Sequence, residues 1–307
     1  MTKLIHQVLM YQHEKEILDA VVPFLQQGLS AGEAVLAVGT APNVSCLRQA
    51  LGADSDAVEF ADSATWYVQP TRTIANYSSF IAENATARIR VVAEPAWRTA
   101  TAAELSECVR YESIINQAFS DVKASVMCLY DRRTTDPDLL DGALLTHPEL
   151  VEDSCPRCND AYVDPAAVNA RIDRDPLPAA PPGAVRLPID TDDLSPLRSF
   201  ISGHARRHGM SRPRVNDLLV ATTEVATNAI RHGLPPINCR MWREDDDLIV
   251  EVTDAGYWQP DPVPGFVPPD PSSLSGFGLW GVRMLCALVQ LRTGPSGTTV
   301  RLHVPCR

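Results

Sequence analysis

The sequence contains no run of about 18 uncharged apolar residues, so no membrane-spanning helix and no membrane partner are expected. Its opening, Met-Thr-Lys-Leu-Ile-His-Gln, lacks the continuous apolar core of a secretion signal, and a cytoplasmic location is expected. Basic excess is also missing. With 38 acidic residues against 27 Lys and Arg the formal charge is −11, which argues against indiscriminate nucleic-acid binding; no direct nucleic-acid partner is expected. Internal repeats and long low-complexity tracts are absent outside one proline- and alanine-rich segment. The eight cysteines are scattered, as in a chain with reduced thiols. Cys128 and Cys286 lie in apolar surroundings and read as small buried hydrophobes. Only Cys155-Pro-Arg-Cys158 has the spacing of a metal or redox pair, and no second ligand pair stands nearby; His147 is a remote candidate.

What is present suggests two domains. The chain has 307 residues, 45% hydrophobic and 21% charged, enough for two cores. The segment 164–188 is rich in proline and alanine, as a semi-rigid spacer is. It divides residues 1–163 from 189–307. In the first half, amphipathic spacing predicts helices over 14–27, 44–51 and 103–119, the first closed by Gly28. Apolar runs predict strands over 32–39, 89–94 and 124–130. This rhythm points to a mostly parallel α/β sheet covered on both faces. Glu94 and Asp131 end two of these strands, where open α/β sheets place ligand sites, with Glu112 on a helix and His147 on the last loop. The four are candidates for a polar pocket, or ordinary loop and cap residues.

The second half carries four ordered motifs within about 85 residues. Val215 to His232 has helical apolar spacing, and Gly233 ends it. Glu224, Asn228 and His232, spaced by four, form a polar stripe on the other side. Leu248 to Thr253 alternates as a strand and runs into Asp254-Ala-Gly256. Gly276-Phe-Gly-Leu-Trp-Gly281 opens a helical pattern through Leu279, Val282, Leu285, Cys286 and Val289. Gly297-Thr298-Thr-Val-Arg-Leu-His-Val is a closing strand. Between Asp254 and Gly276, prolines at 260, 262, 264, 268, 269 and 271 exclude an interior helix or central strand. That loop reads as a lid, with Trp258 and Phe266 as an apolar seal or as partner contacts.

These motifs make residues from about 186 to 307 resemble the Bergerat-fold ATPases (the gyrase, heat-shock chaperone, histidine kinase and mismatch-repair class), an α/β two-layer sandwich. Within that class they most resemble the anti-sigma-factor serine kinases. The resemblance implies ATP and Mg²⁺ as cofactors, with Glu224 as catalytic base and Asn228 as magnesium ligand. It implies that Asp254 reads the adenine amino group, that Gly256 makes room for the base, that Gly276, Gly278, Leu279 and Gly281 cap the phosphates, and that Thr298 lies near the adenine. A carboxylate acceptor suits the adenine amino donor, and a helix N-terminus suits polyphosphate. His232 is either a ligand contact or a helix-end residue bonded to a last carbonyl. Phe277 stands where these kinases often have arginine.

Residues from about 4 to 155 resemble the sensory domain of methanogen and methylotroph regulators, known as MEDS. The resemblance rests on His6 with Tyr11, Phe24 with Gly28, Gly32-Glu33, Val91 to Glu94, Tyr111-Glu112, Cys128 to Asp131 and His147-Pro148. The order also resembles a RecA-like domain without a P-loop, because the loop after Val38, Gly-Thr-Ala-Pro-Asn-Val-Ser-Cys, lacks the phosphate-binding Gly-Lys-[Ser/Thr]. The MEDS resemblance implies a small-molecule ligand at this domain.

The whole therefore reads as a sensing domain controlling an ATP-dependent serine/threonine protein kinase of the anti-sigma type. Its partner would be a sigma factor or an antagonist protein, and a homodimer is compatible with the reading. Two rivals stand beside it: an ATP-gated binding module without phosphoryl transfer, and a histidine-kinase transmitter lacking its own acceptor domain. His204 and His208 lack the surroundings of an acceptor box, and the segment before them is too short and proline-rich for a dimerisation hairpin.

Overall fold

A computed structural model describes residues 4–96, 101–258, 265–269 and 277–306, with the Phe277 side chain left out. Contacts divide the chain into units of residues 1–168 and 169–307. The division falls inside a helix, Pro165–Arg174.

In the first unit, β1 (Leu4–Tyr11) leads to α1 (Glu14–Ser30), β2 (Ala34–Gly39), α2 (Ala41–Leu51), β3 (Glu59–Asp62), α3 (Ser63–Trp66) and α4 (Pro70–Glu83). There follow β4 (Ile89–Ala93), α5 (Ala102–Ala118), β5 (Ala124–Asp131), α6 (Pro137–Thr146) and the hairpin β6 (Glu149–Glu152) and β7 (Cys155–Cys158). The sheet order is β3-β2-β4-β5-β1-β6-β7, with only the β6–β7 pairing antiparallel. The mostly parallel sheet is thus the one that the helix–strand rhythm implies. Helix α1 starts with a capping box in which Glu16 accepts from the His13 N–H. It runs past Gly28, so that glycine does not close it. A Cβ at Gly28 would collide with the Arg90 side chain, whose Nε donates to Glu33 at 2.6 Å. Gly28 is small so that this buried ion pair can pass.

The second unit begins with the end of α7 (Pro165–Arg174). It continues through β8 (Val185–Pro188), α8 (Ser195–Arg207), α9 (Arg212–His232), β9 (Asn238–Glu244), β10 (Asp247–Asp254), α10 (Phe277–Leu285), β11 (Leu288–Gly294) and β12 (Gly297–Pro305). The five-stranded sheet, order β11-β12-β10-β9-β8, is antiparallel throughout. Leu218, Ala221, Val225 and Ala226 of α9 pack with Leu248, Val250 and Val252 of β10 in one core. Strand alternation puts Glu251 on the opposite face, where it pairs with Arg301 at 2.6 Å and Arg240 at 3.5 Å.

The segment 164–188 is not a bare spacer. It contains α7 and β8, and Arg292 and Arg301 donate to the carbonyls of Asp175 and Pro178. Prolines stop the helix here, but two arginines on the sheet's second face capture the carbonyls that prolines leave free. Val289, read as helical, belongs to β11, because α10 ends at Leu285 and the chain reverses at Cys286. No helix of the described residues is long and apolar enough to cross a membrane.

Candidate nucleotide site and a buried polar cluster

Helix α9 and strand β10 meet at their C-terminal ends, and the site grows from that junction. The Leu234 N–H donates to Asp254 Oδ1 at 3.3 Å and the Gly256 N–H to the same oxygen at 2.7 Å. Ala255 N–H closes the corner onto the Leu234 carbonyl at 2.7 Å. Gly233 has an extended backbone, so it is not a left-handed cap. It is glycine because a Cβ there would lie 2.5 Å from the Asp254 carboxyl carbon. A Cβ at Gly256 would come within 3.0 Å of the Gly233 and Leu234 backbone. Partial burial raises the Asp254 carboxyl above its ordinary value, and the Gly256 and Leu234 N–H groups pull it back.

Thr298 arrives by register, since β12 pairs it with Asp254. Its hydroxyl donates to the Gly256 carbonyl at 2.9 Å and so pins the Asp-x-Gly corner. One helical turn separates Glu224 from Asn228, and the Asn228 Nδ2 donates to Glu224 Oε1 at 3.3 Å. That bond uses the amide nitrogen and takes up none of Oδ1. Across from them, a Cβ at Gly278 would stand 2.6 Å from Glu224 Oε1, so a side chain there would displace the carboxylate from its present position.

These residues enclose a cavity of about 560 Å³, lined by Glu224, Asn228, His232, Asp254, Gly256, Gly278, Leu279 and Thr298, with Trp258 and Trp280 as aromatic walls. The volume is that of a ligand pocket of ordinary size. Seven of the nine residues expected at the nucleotide converge here, and His232 joins them. Gly281 does not: it lies within α10, away from the cavity lining, because the helix turns it away after Gly278 and Leu279. Gly276 and most of the expected 257–275 lid lie outside the described residues. Of the lid's aromatics, Trp258 lines the cavity. Phe266 is fully buried under the Arg283 guanidinium, 3.8 Å from its ring centre, and serves packing.

In the first unit the expected polar pocket separates into two groups. Glu94 lies at the strand ends, accepting from Tyr11 OH (3.1 Å), Asn43 Nδ2 (2.9 Å), Thr40 N–H (2.7 Å) and Thr40 OH (3.0 Å). Asp131 ends β5 opposite Tyr11 and accepts from Arg133 Nη2 at 2.7 Å, which holds its carboxyl below the usual range. Glu112 and His147 form the second group, joined by two residues that the pocket expectation left out, His6 and Cys128. One ligand atom from each of these four lies within 4.8 Å of all the others, and all four residues are buried. Tyr130 OH donates to Glu112 Oε1 at 2.9 Å. Burial pushes the His6 imidazole down to about 4, partly opposed by its bond to Asn116, and burial with the neighbouring His6 holds His147 well below its ordinary value. Cys155 and Cys158 are exposed on the β6–β7 hairpin and take no part. Both His6 and Cys128 stood among the MEDS signatures, which was the one signal available in the sequence.

One family model matches within each unit. The model for MEDS, the methanogen/methylotroph, DcmR sensory domain, matches residues 5–148, and that for the histidine kinase-like ATPase domain matches residues 187–304. The chain joins a MEDS domain to a histidine kinase-like ATPase domain. Comparison with curated proteins gives no match. Among solved structures, the RsbU and RsbW domains of a Mycobacterium tuberculosis protein match with 19% identity and a TM-score of 0.31. That alignment covers 41% of this chain and 33% of the other. A histidine kinase-like ATPase domain implies ATP, usually with Mg²⁺, and the residues fit both. The half-buried Asp254 supplies an acceptor for the adenine amino group, Gly256 and Gly278 leave space that any Cβ would fill, and Asn228 keeps an amide oxygen for a cation.

Proposed function

We propose that this signalling regulator is an ATP-dependent serine/threonine protein kinase of the anti-sigma type, controlled by a small-molecule-sensing MEDS domain. The observation that carries the reading is the single cavity holding Glu224, Asn228, Asp254, Gly256 and Gly278. Asp254 accepts from the adenine amino group, fixed in position by the N–H groups of Leu234 and Gly256. Asn228 offers Oδ1 to Mg²⁺, and the start of α10 offers N–H groups to the phosphates. Mg-ATP supplies the phosphoryl group and neutralises its charge when bound. Phosphoryl transfer then needs mainly positioning, which these residues provide. Glu224 accepts the hydroxyl proton of a serine on an antagonist protein, with the Asn228 amide holding its carboxylate toward the site.

The residues 175–184 before β8 carry no helix, which disfavours a dimerisation hairpin with its own acceptor histidine. The experiment is phosphorylation of the antagonist by wild type and Glu224→Gln. The variant keeps size and polarity but does not accept a proton at neutral pH. ATP binding should survive while phosphorylation drops by about two or more orders of magnitude, the scale of general-base loss. Equal phosphorylation by the variant removes Glu224 from the role. A wild type that binds its partner only with ATP and transfers no phosphate makes the domain a binding module.

A further inference from the structure

The four-residue cluster inside the MEDS domain takes no part in the nucleotide cavity. Its residues are remote in sequence and come from four elements: His6 from β1, Glu112 from α5, Cys128 from β5 and His147 from the end of α6. Parallel pairing of β1 with β5 brings His6 and Cys128 together. The His6 Nε2 to Cys128 Sγ distance is 3.4 Å, His6 Nε2 to Glu112 Oε2 is 3.9 Å and His147 Nε2 to Glu112 Oε2 is 3.8 Å. Bonds of about 2.0–2.3 Å to one tetrahedral ion put neighbouring donors about 3.3–3.8 Å apart.

Outer contacts orient three of the four donors, His6, His147 and Glu112. The Asn116 Nδ2 donates to the Thr146 carbonyl at 2.7 Å, which turns Oδ1 toward His6. His6 Nδ1–H donates to that oxygen at 3.0 Å, leaving the Nε2 lone pair for the cluster. His147 Nδ1–H donates to the Ala143 carbonyl at 2.8 Å with the same result, and its buried Nε2 has no hydrogen-bond partner. Tyr130 OH donates to Glu112 Oε1, and Oε2 is the oxygen that faces both histidines. Second contacts of this type, a ring N–H held by a carbonyl, are the usual support of metal-bound histidine.

We propose that His6, Glu112, Cys128 and His147 bind one borderline divalent transition metal ion, of the Zn²⁺ type, inside the MEDS domain. The mixed nitrogen, oxygen and sulfur donor set suits such an ion and not Mg²⁺ or Ca²⁺. Binding forms the metal–sulfur bond and releases the Cys128 thiol proton to solvent, with no change of oxidation state. The ion would sit at the wall of a small cavity of about 30 Å³, otherwise lined by groups such as Tyr67, Tyr77 and Phe80.

The test uses the full chain, stripped with a chelator and titrated with Co²⁺ as the probe. The expected result is one equivalent per chain with a thiolate-to-cobalt charge-transfer band. Cys128→Ser should abolish the band, and Glu112→Gln should weaken Co²⁺ binding at least tenfold. Asn116→Ala, which removes the acceptor for the His6 ring N–H together with the bonds to the Thr146 and Glu112 carbonyls, should weaken binding about 10- to 100-fold while keeping the band. The double variant Cys155→Ser with Cys158→Ser should retain both band and affinity, and circular dichroism with adenosine binding would report folding of each variant. No stoichiometric Co²⁺ uptake by the wild type, a band that survives Cys128→Ser, or a band lost with the Cys155 and Cys158 pair overturns the proposal.

Discussion

Asp254 ties the corner between α9 and β10 and lines the cavity. Its Oδ1 accepts two backbone N–H groups, and only the ionised form has acceptor capacity left on every side. Burial raises its pKa, so on acidification the carboxylate is lost at a higher pH than an ordinary aspartate would be. Adenosine affinity is therefore expected to be full well above that raised value and to fall as pH drops through it. Asp254→Asn keeps an acceptor oxygen but does not titrate, so its affinity should be lower and flat over the same range. A variant with the wild-type acid limb, read by calorimetry across pH, would take Asp254 out of the adenine contact. Asp254, Glu224 and Asn228 were legible because each sits in a local motif, a strand end or one turn of a helix. His6 and Cys128 were not legible as partners. They stand 122 residues apart, and only the β1–β5 register makes them neighbours.

At the scale of elements, β10 divides its labour by alternation. Val250 and Val252 enter the core beneath α9, while Glu251 faces the other way and pairs with Arg301, both nearly fully buried. Removing one partner of a buried pair leaves the other charge unpaired, at a cost of about 3–5 kcal/mol. Glu251→Ala should destabilise the C-terminal unit by that order in a denaturant titration, and a change below about 1 kcal/mol would place the pair in the weak surface class. Helix α9 and strand β10 were readable from periodicity alone. Strand β11 was not, because Leu288 and Val289 continue the apolar spacing of α10 across the reversal at Cys286. Strand β1, helix α4 and strand β9 carried no distinctive spacing signal. Strand β9, Asn-Cys-Arg-Met-Trp-Arg-Glu, sets Cys239 and Met241 in the core and Arg240, Trp242 and Glu244 on the other face, and only its pairing with β10 gives that alternation meaning.

At the scale of the whole molecule, we propose two domains whose boundary lies earlier than the proline-rich composition suggests. Strand β8 completes the five-stranded sheet, and Arg292 and Arg301 bind the carbonyls of Asp175 and Pro178. A fragment of residues 169–307 should therefore fold and bind ATP, whereas residues 189–307 should melt lower, having lost an edge strand and those bonds. Equal melting of the two would show that the segment 169–188 contributes nothing to the ATPase domain. We propose that the cavity between α9, β10 and α10 holds Mg-ATP through Asn228 and Asp254. Calorimetry of the full chain with Mg-ATP and with adenosine tests it most directly. Asn228→Ala is expected to weaken Mg-ATP far more than adenosine, and Asp254→Ala to weaken both. Wild-type affinity for Mg-ATP in both variants would contradict the account.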